Sequence, residues 1–105
     1  MEKLSFKLNA TKCAGGTRKQ AIVGVVASGN LEVLLERASP PEICTIDIAT
    51  AAHGFGAVWE AVLRDFVALR AAGGLMISVN DGGARPDTVA LRLAQGVRMI
   101  EEPEV

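Results

Sequence analysis

The sequence predicts an α+β fold: a two-layer sandwich whose mixed, mostly antiparallel sheet of about five strands carries two helices on one face. Three observations predict it. Short segments with strand periodicity fill the first half of the chain. One long segment repeats its apolar residues at three and four spacing. Glycine- and proline-rich breaks separate these pieces in the order strand, strand, strand, strand, helix, strand, helix, which suits an α+β layer pair. At 105 residues, half of them hydrophobic, the chain is long enough for one domain, residues 1–105, with a core that needs no staples.

Lys3 to Leu8 alternates, with Leu4, Phe6 and Leu8 on one side and Lys3, Ser5 and Lys7 on the other. The lysines suit an edge strand, because they discourage pairing with another chain. Asn9 to Lys19 is polar and glycine-rich and reads as a mobile loop. Its Arg18 and Lys19 can meet a phosphate, although a solvated loop is the simpler reading. Ile22 to Ala27 is a nearly unbroken apolar run and suits an interior strand covered on both faces. Gly24 within it implies a close backbone approach by a helix or a neighbouring strand, here expected to be the first helix. Leu31 to Glu36 alternates, with Leu31, Val33 and Leu35 inward. Gly29-Asn30 between these two strands matches a two-residue hairpin turn, which places Ser28 at an exposed tip.

Ser39-Pro40-Pro41 breaks the pattern. Ile43 to Ala49 is the fourth strand, with Cys44, Ile46 and Ile48 inward. Phe55 to Ala71 is the clearest helix, with Phe55, Val58, Trp59, Val62, Leu63, Phe66 and Leu69 on one stripe. Glu60 and Arg64 form an i, i+4 pair on its other side, and Gly73-Gly74 is expected to end it. Leu75 to Val79 is a short strand, parallel to Ile43–Ala49 because a helix joins the two. Asn80-Asp81-Gly82-Gly83 reads as a turn. Pro86 suits a first helical turn. Val89, Leu93, Val97 and Ile100 then form a helical stripe. Val89, Leu91 and Leu93 also alternate like a strand, but Ala90, Leu91, Arg92, Ala94 and Gln95 favour helix.

Composition excludes several function classes. A net charge of −1 argues against nucleic acid binding through a broad basic field. No apolar run approaches the ~20 residues of a membrane helix, and Met1 to Phe6 lacks the layout of a signal peptide, so a cytoplasmic location is expected. Cys13 and Cys44 have neither zinc nor redox spacing and read as free thiols. His53 stands alone, without a Cys or carboxylate partner. No constellation for catalysis or for a metal emerges.

Two stretches carry a family resemblance. Val23-Gly24-Val25-Val26-Ala27-Ser28-Gly29-Asn30-Leu31-Glu32-Val33-Leu34-Leu35-Glu36, and Asn80-Asp81-Gly82-Gly83-Ala84-Arg85-Pro86 running into Val89 to Gln95, resemble the acyl carrier (delta) subunits of biotin-independent malonate decarboxylases. The acyl carrier subunit of citrate lyase is similar at greater distance. The resemblance implies a non-catalytic carrier. It also implies that Ser28 is the covalent attachment point of a 2'-(5''-phosphoribosyl)-3'-dephospho-CoA arm, with Gly29 and Asn30 in the same site. The implied partners are an acetyl/malonyl transferase subunit, a decarboxylase subunit pair and a separate transferase that attaches the arm. Where the family commonly has Gly before the serine and Asp after the next Gly, this sequence has Ala27 and Asn30. Two other readings of the residues are an unmodified interaction subunit, in which Ser28 is only a turn residue, and a phosphate-binding regulator using Asp81-Gly82-Gly83 with the basic loop.

Overall fold

The computed structural model describes residues 1–25 and 28–102, and the side chains of all of these except 25 and 28–30. The elements are β1 (Glu2–Asn9), β2 (Gln20–Val25), β3 (Ser28–Glu36), β4 (Ile43–Thr50), α1 (Gly56–Leu69), β5 (Met76–Asp81) and α2 (Pro86–Glu101). One five-stranded sheet has the order β1-β4-β5-β3-β2. Every pairing is antiparallel except that of β4 with β5, which the intervening helix makes parallel.

The register turns the alternating sequences into cross-sheet rows. Phe6, Ile46, Ile77, Leu35 and Ala21 form one row, and Leu4, Ile48, Val79, Val33 and Val23 the next. These residues share the face that joins Trp59, Leu63 and Phe66 of α1 and Val89, Leu93, Val97 and Ile100 of α2 in a single core. The fully buried side chains there, Leu31, Leu35, Ile46, Leu63, Ile77 and Leu93 among them, each contribute about 1.5–3 kcal/mol by leaving water. Glu60 holds Arg64 at 2.9 Å on the exposed side of α1, as its sequence position implies. The segment from Pro86 is a helix, with proline in its first turn.

Two glycines set how closely the layers meet. One is Gly96 on α2: a Cβ there would collide with Cδ1 of Leu35, so α2 lies unusually near β3. The other is Gly24, described below.

Four expectations about the sheet edge, the helices and the 9–19 segment are corrected. The strand containing Ile22 is the sheet's edge, not its interior: Ala21 and Val23 are buried while Ile22 is 56% exposed on the uncovered face. The helix that lies over it is α2, because α1 sits toward β1 at the other edge. α1 stops at Leu69 with Arg70 as an extended cap, so Gly73 and Gly74 lie beyond the helix rather than ending it. Gly73 instead bridges to Cys13, accepting from the Ala14 N–H and donating to the Lys12 carbonyl, each at 2.9 Å.

The fourth concerns Asn9 to Lys19, expected to be a mobile loop. Besides the Gly73 bridge, it is clamped by Arg37. That guanidinium donates to the carbonyls of Arg18 (2.6 Å), Ala14 (3.1 Å) and Gly15, and to the carbonyl of Ile100 at the end of α2 (3.1 Å). A guanidinium has five N–H donors in a rigid fork, which suits the joining of several carbonyls.

The two thiols are free, Cys13 exposed and Cys44 buried. Burial disfavours the thiolate and pushes Cys44 up to about 12. Since only the thiolate reacts, iodoacetamide at pH 8 should add one alkyl group to the native protein, at Cys13, and a second only after unfolding. Two rapid additions to the native protein, counted by intact mass, would contradict the placement of Cys44.

Candidate functional site

Several chain segments meet at one end of the sheet. Leu31 of β3 pairs with Asp81 of β5, which pairs in turn with Thr50 of β4. The start of β3, the ends of β4 and β5, and the starts of α1 and α2 therefore share this end.

Asp81 organises the junction. It is only 4% exposed, and it and Thr50 are the buried polar residues among those described. One carboxylate oxygen accepts from the Thr50 hydroxyl at 2.7 Å, and the other from the Ala84 N–H at 2.7 Å. The Asp81 carbonyl accepts from the Ala51 N–H at 2.9 Å, and the Thr50 hydroxyl oxygen accepts from the Ala52 N–H at 3.1 Å. A buried carboxylate must find such donors. Asn80 and Asp81 thus belong to β5, and only Gly82-Gly83 make the turn. The Asp81 carboxylate is committed to structure. Arg18 and Lys19 lie at the opposite end of the sheet, where the Arg37 N–H donates to the Lys19 carbonyl. The two halves of the phosphate-binding reading are therefore apart. Arg18 instead approaches Glu102 at 4.0 Å.

Ser28 is the first residue of β3, and it pairs with Val25 of β2. Gly29 and Asn30 lie within β3, so they are not the expected hairpin turn. The connection is residues 26–27, which lie outside the described residues. The expected exposure of the Ser28 side chain lies outside them as well. The ladder is regular from Gln20–Glu36 to Val23–Val33 and then shifts register before Val25–Ser28. Gly24 sits at that shift with φ of 73°. A Cβ on it would lie 2.5 Å from the Leu31 carbonyl oxygen, and 3.5 Å from Nε of Arg92 on α2. Glycine is thus required twice over, for its backbone angle and for the space.

Beside this junction, the first turns of α1 and α2 border a cleft of about 330 Å³, lined mainly by Phe55, Val58, Trp59, Ala84, Pro86 and Val89. Phe55 is 51% exposed and Val58 partly so. The apolar stripe of α1 is therefore wider than the core can cover. His53 is exposed in the preceding loop. Among the described residues no group of three His, Cys, Asp or Glu side chains is placed to hold a metal, and no helix is long and apolar enough to cross a membrane.

Sequence reasoning missed two residues that matter here: the Asp81 carboxylate as a junction, and Arg92 beside Gly24. The spacing of Arg92 from Leu93 and Gly96 places it next to the buried stripe, which is the signal available in the sequence.

The chain is similar to several known proteins. The model of the malonate decarboxylase delta subunit family matches residues 18–100. The malonate decarboxylase acyl carrier protein of Bradyrhizobium diazoefficiens is 63% identical over 102 residues, 97% of each chain. That of Xanthomonas axonopodis pv. citri is 48% identical over 101 residues, 96% of each chain. A chain in the crystal structure of a Pseudomonas malonate decarboxylase hetero-tetramer in complex with malonate superposes with a TM-score of 0.82 at 37% identity. The match covers 95% of this chain and 99% of that one.

Two substitutions test the junction. Asp81→Ala strands the Thr50 hydroxyl and the Ala84 N–H, and should cost about 1.5–3 kcal/mol in urea denaturation. Gly24→Val meets both the positive φ and the Leu31 carbonyl, and should cost roughly 1–3 kcal/mol. Parent-like stability in either variant would show that the contact named does not hold this end together.

Proposed function

Because the chain belongs to the malonate decarboxylase delta-subunit family, we propose that it is the acyl carrier of a malonate decarboxylase, with Ser28 as the attachment point of its prosthetic arm. The observation that carries the reading is the family match across the segment in which Ser28 opens β3. The arm proposed is 2'-(5''-phosphoribosyl)-3'-dephospho-CoA, joined to Ser28 through a phosphodiester. When bound, it supplies a terminal thiol on which acetyl and malonyl groups ride as thioesters.

The residues present suit such an arm. Beside the hairpin, Nε of Arg92 is buried with no acceptor among the described residues, so a cationic donor stands near an attachment point that would bear an anion. The chain's own contribution is to position. The sheet fixes β3 through its pairing with β5, and Asp81 fixes the end of β5. Ser28 thus starts a strand whose next residues are held on both sides, Leu31 by Asp81 and Val33 by Val23. A carrier needs no general base of its own. Tethering holds the acyl group at high effective concentration near more than one catalytic site.

The partners proposed are a subunit that exchanges acetyl for malonyl, a decarboxylase pair, and a separate transferase that installs the arm. The match to a chain of a hetero-tetramer supports a multisubunit assembly. A cytoplasmic location is proposed on the exposed free thiol of Cys13, which suits a reducing compartment.

Ser28→Ala should leave stability within about 0.5 kcal/mol of the parent. It should also abolish the mass gain on incubation with the arm-attaching transferase, and all malonate turnover by the reconstituted complex. A retained mass gain or retained turnover would show that the arm is attached elsewhere.

A further inference from the structure

We propose that Arg92 is the seat of the phosphodiester that joins Ser28 to its arm, a positioning residue that holds the first anionic group of the arm against the hairpin. This rests on the carrier reading above. Arg92 lies on α2, one residue before the fully buried Leu93 and four before Gly96. The close approach at Gly96 brings this stretch of α2 down onto β3, and α2 also lies over β2. The Arg92 side chain thereby reaches the hairpin. A Cβ on Gly24 would lie 3.5 Å from its Nε and 3.6 Å from its Cδ. Gly24 precedes Val25, which pairs with Ser28.

The donors of Arg92 are under-used. Nε is buried and has no acceptor among the described residues. Nη1 makes one long contact, 3.4 Å to Oε1 of Gln95. No ion pair among the described residues includes Arg92. Leaving a charged donor buried and unmatched is costly, and evolution rarely retains it without a ligand or a strain role. A phosphate oxygen answers that need, because guanidinium and phosphate match in geometry as well as in charge. Glycine at position 24 leaves the guanidinium in ordinary contact range of the hairpin backbone, with no side chain between them. The Arg37 guanidinium, by contrast, spends four of its five donors on backbone carbonyls.

The test compares the carrier before and after arm attachment, with intact mass establishing loading first. The readout is the arginine Nε–H signal of Arg92 in nitrogen–proton spectra of the wild-type protein, assigned by its loss in Arg92→Lys or by sequential connectivity. Loading should move that signal and slow its hydrogen exchange about tenfold or more, as one charge-assisted hydrogen bond requires. The phosphorus signal of the diester should differ between loaded wild type and loaded Arg92→Gln. A loaded wild-type protein with an unmoved Arg92 signal overturns the seat and leaves the carrier reading intact. An unchanged phosphorus signal in loaded Arg92→Gln does the same. Absence of any mass gain in the wild type overturns both. The decisive comparison is made on the wild-type chain, so it does not depend on a variant folding.

Discussion

The structure depends on one buried carboxylate. Asp81 ends the central strand that β3 and β4 flank, and its two oxygens and its carbonyl reach the Thr50 hydroxyl, the Ala84 N–H and the Ala51 N–H. These contacts tie the exit of β4, the turn into α2 and, through the Leu31 pairing, the entry of β3. Removing a charge from water is expensive, so a carboxylate this buried persists only where its hydrogen bonds are complete. Here they are made by the segments that must meet for the hairpin and the helix starts to share one end of the sheet. The start of β3, which Ser28 opens, is thus held by a group on a different strand.

The division of labour between the layers follows. α1 covers the β1 side and presents excess apolar surface beside the cleft. α2 covers β2 and β3 and brings a cation to the hairpin. The close contact of Gly96 with Leu35 belongs to the second arrangement, since a methyl group there would force Leu35 or α2 to shift.

Much of the fold was legible from alternation. Leu4, Phe6 and Leu8, then Leu31, Val33 and Leu35, then Cys44, Ile46 and Ile48 all face the core, because a sheet with one covered face enforces period two. Ile22 misled for the same physical reason. An apolar run signals two covered faces, but an edge strand with one bare face tolerates an exposed isoleucine. Gly29-Asn30 misled because glycine permits both a turn and a bulged strand, and only the Val25–Ser28 pairing distinguishes them. α1 ended early because its cap is an extended Arg70, which no glycine signal marks. Family membership was legible in the stretch from Val23 to Glu36. Arg92 was not, since its position depends on how closely two layers pack.

The Arg37 clamp has a consequence for how the protein meets proteases. A polar, glycine-rich segment such as 9–19 is where nicking ordinarily concentrates, because small, polar, exposed loops offer accessible backbone. Here the carbonyls of Ala14, Gly15 and Arg18 are already engaged, and the same side chain engages Ile100, near the other end of the chain. Cleavage must wait for that guanidinium to let go. The segment's lifetime is then set by the free energy of a local opening and not by its composition. That opening would loosen the end of α2 together with the loop, so damage at one terminus is coupled to exposure of the other.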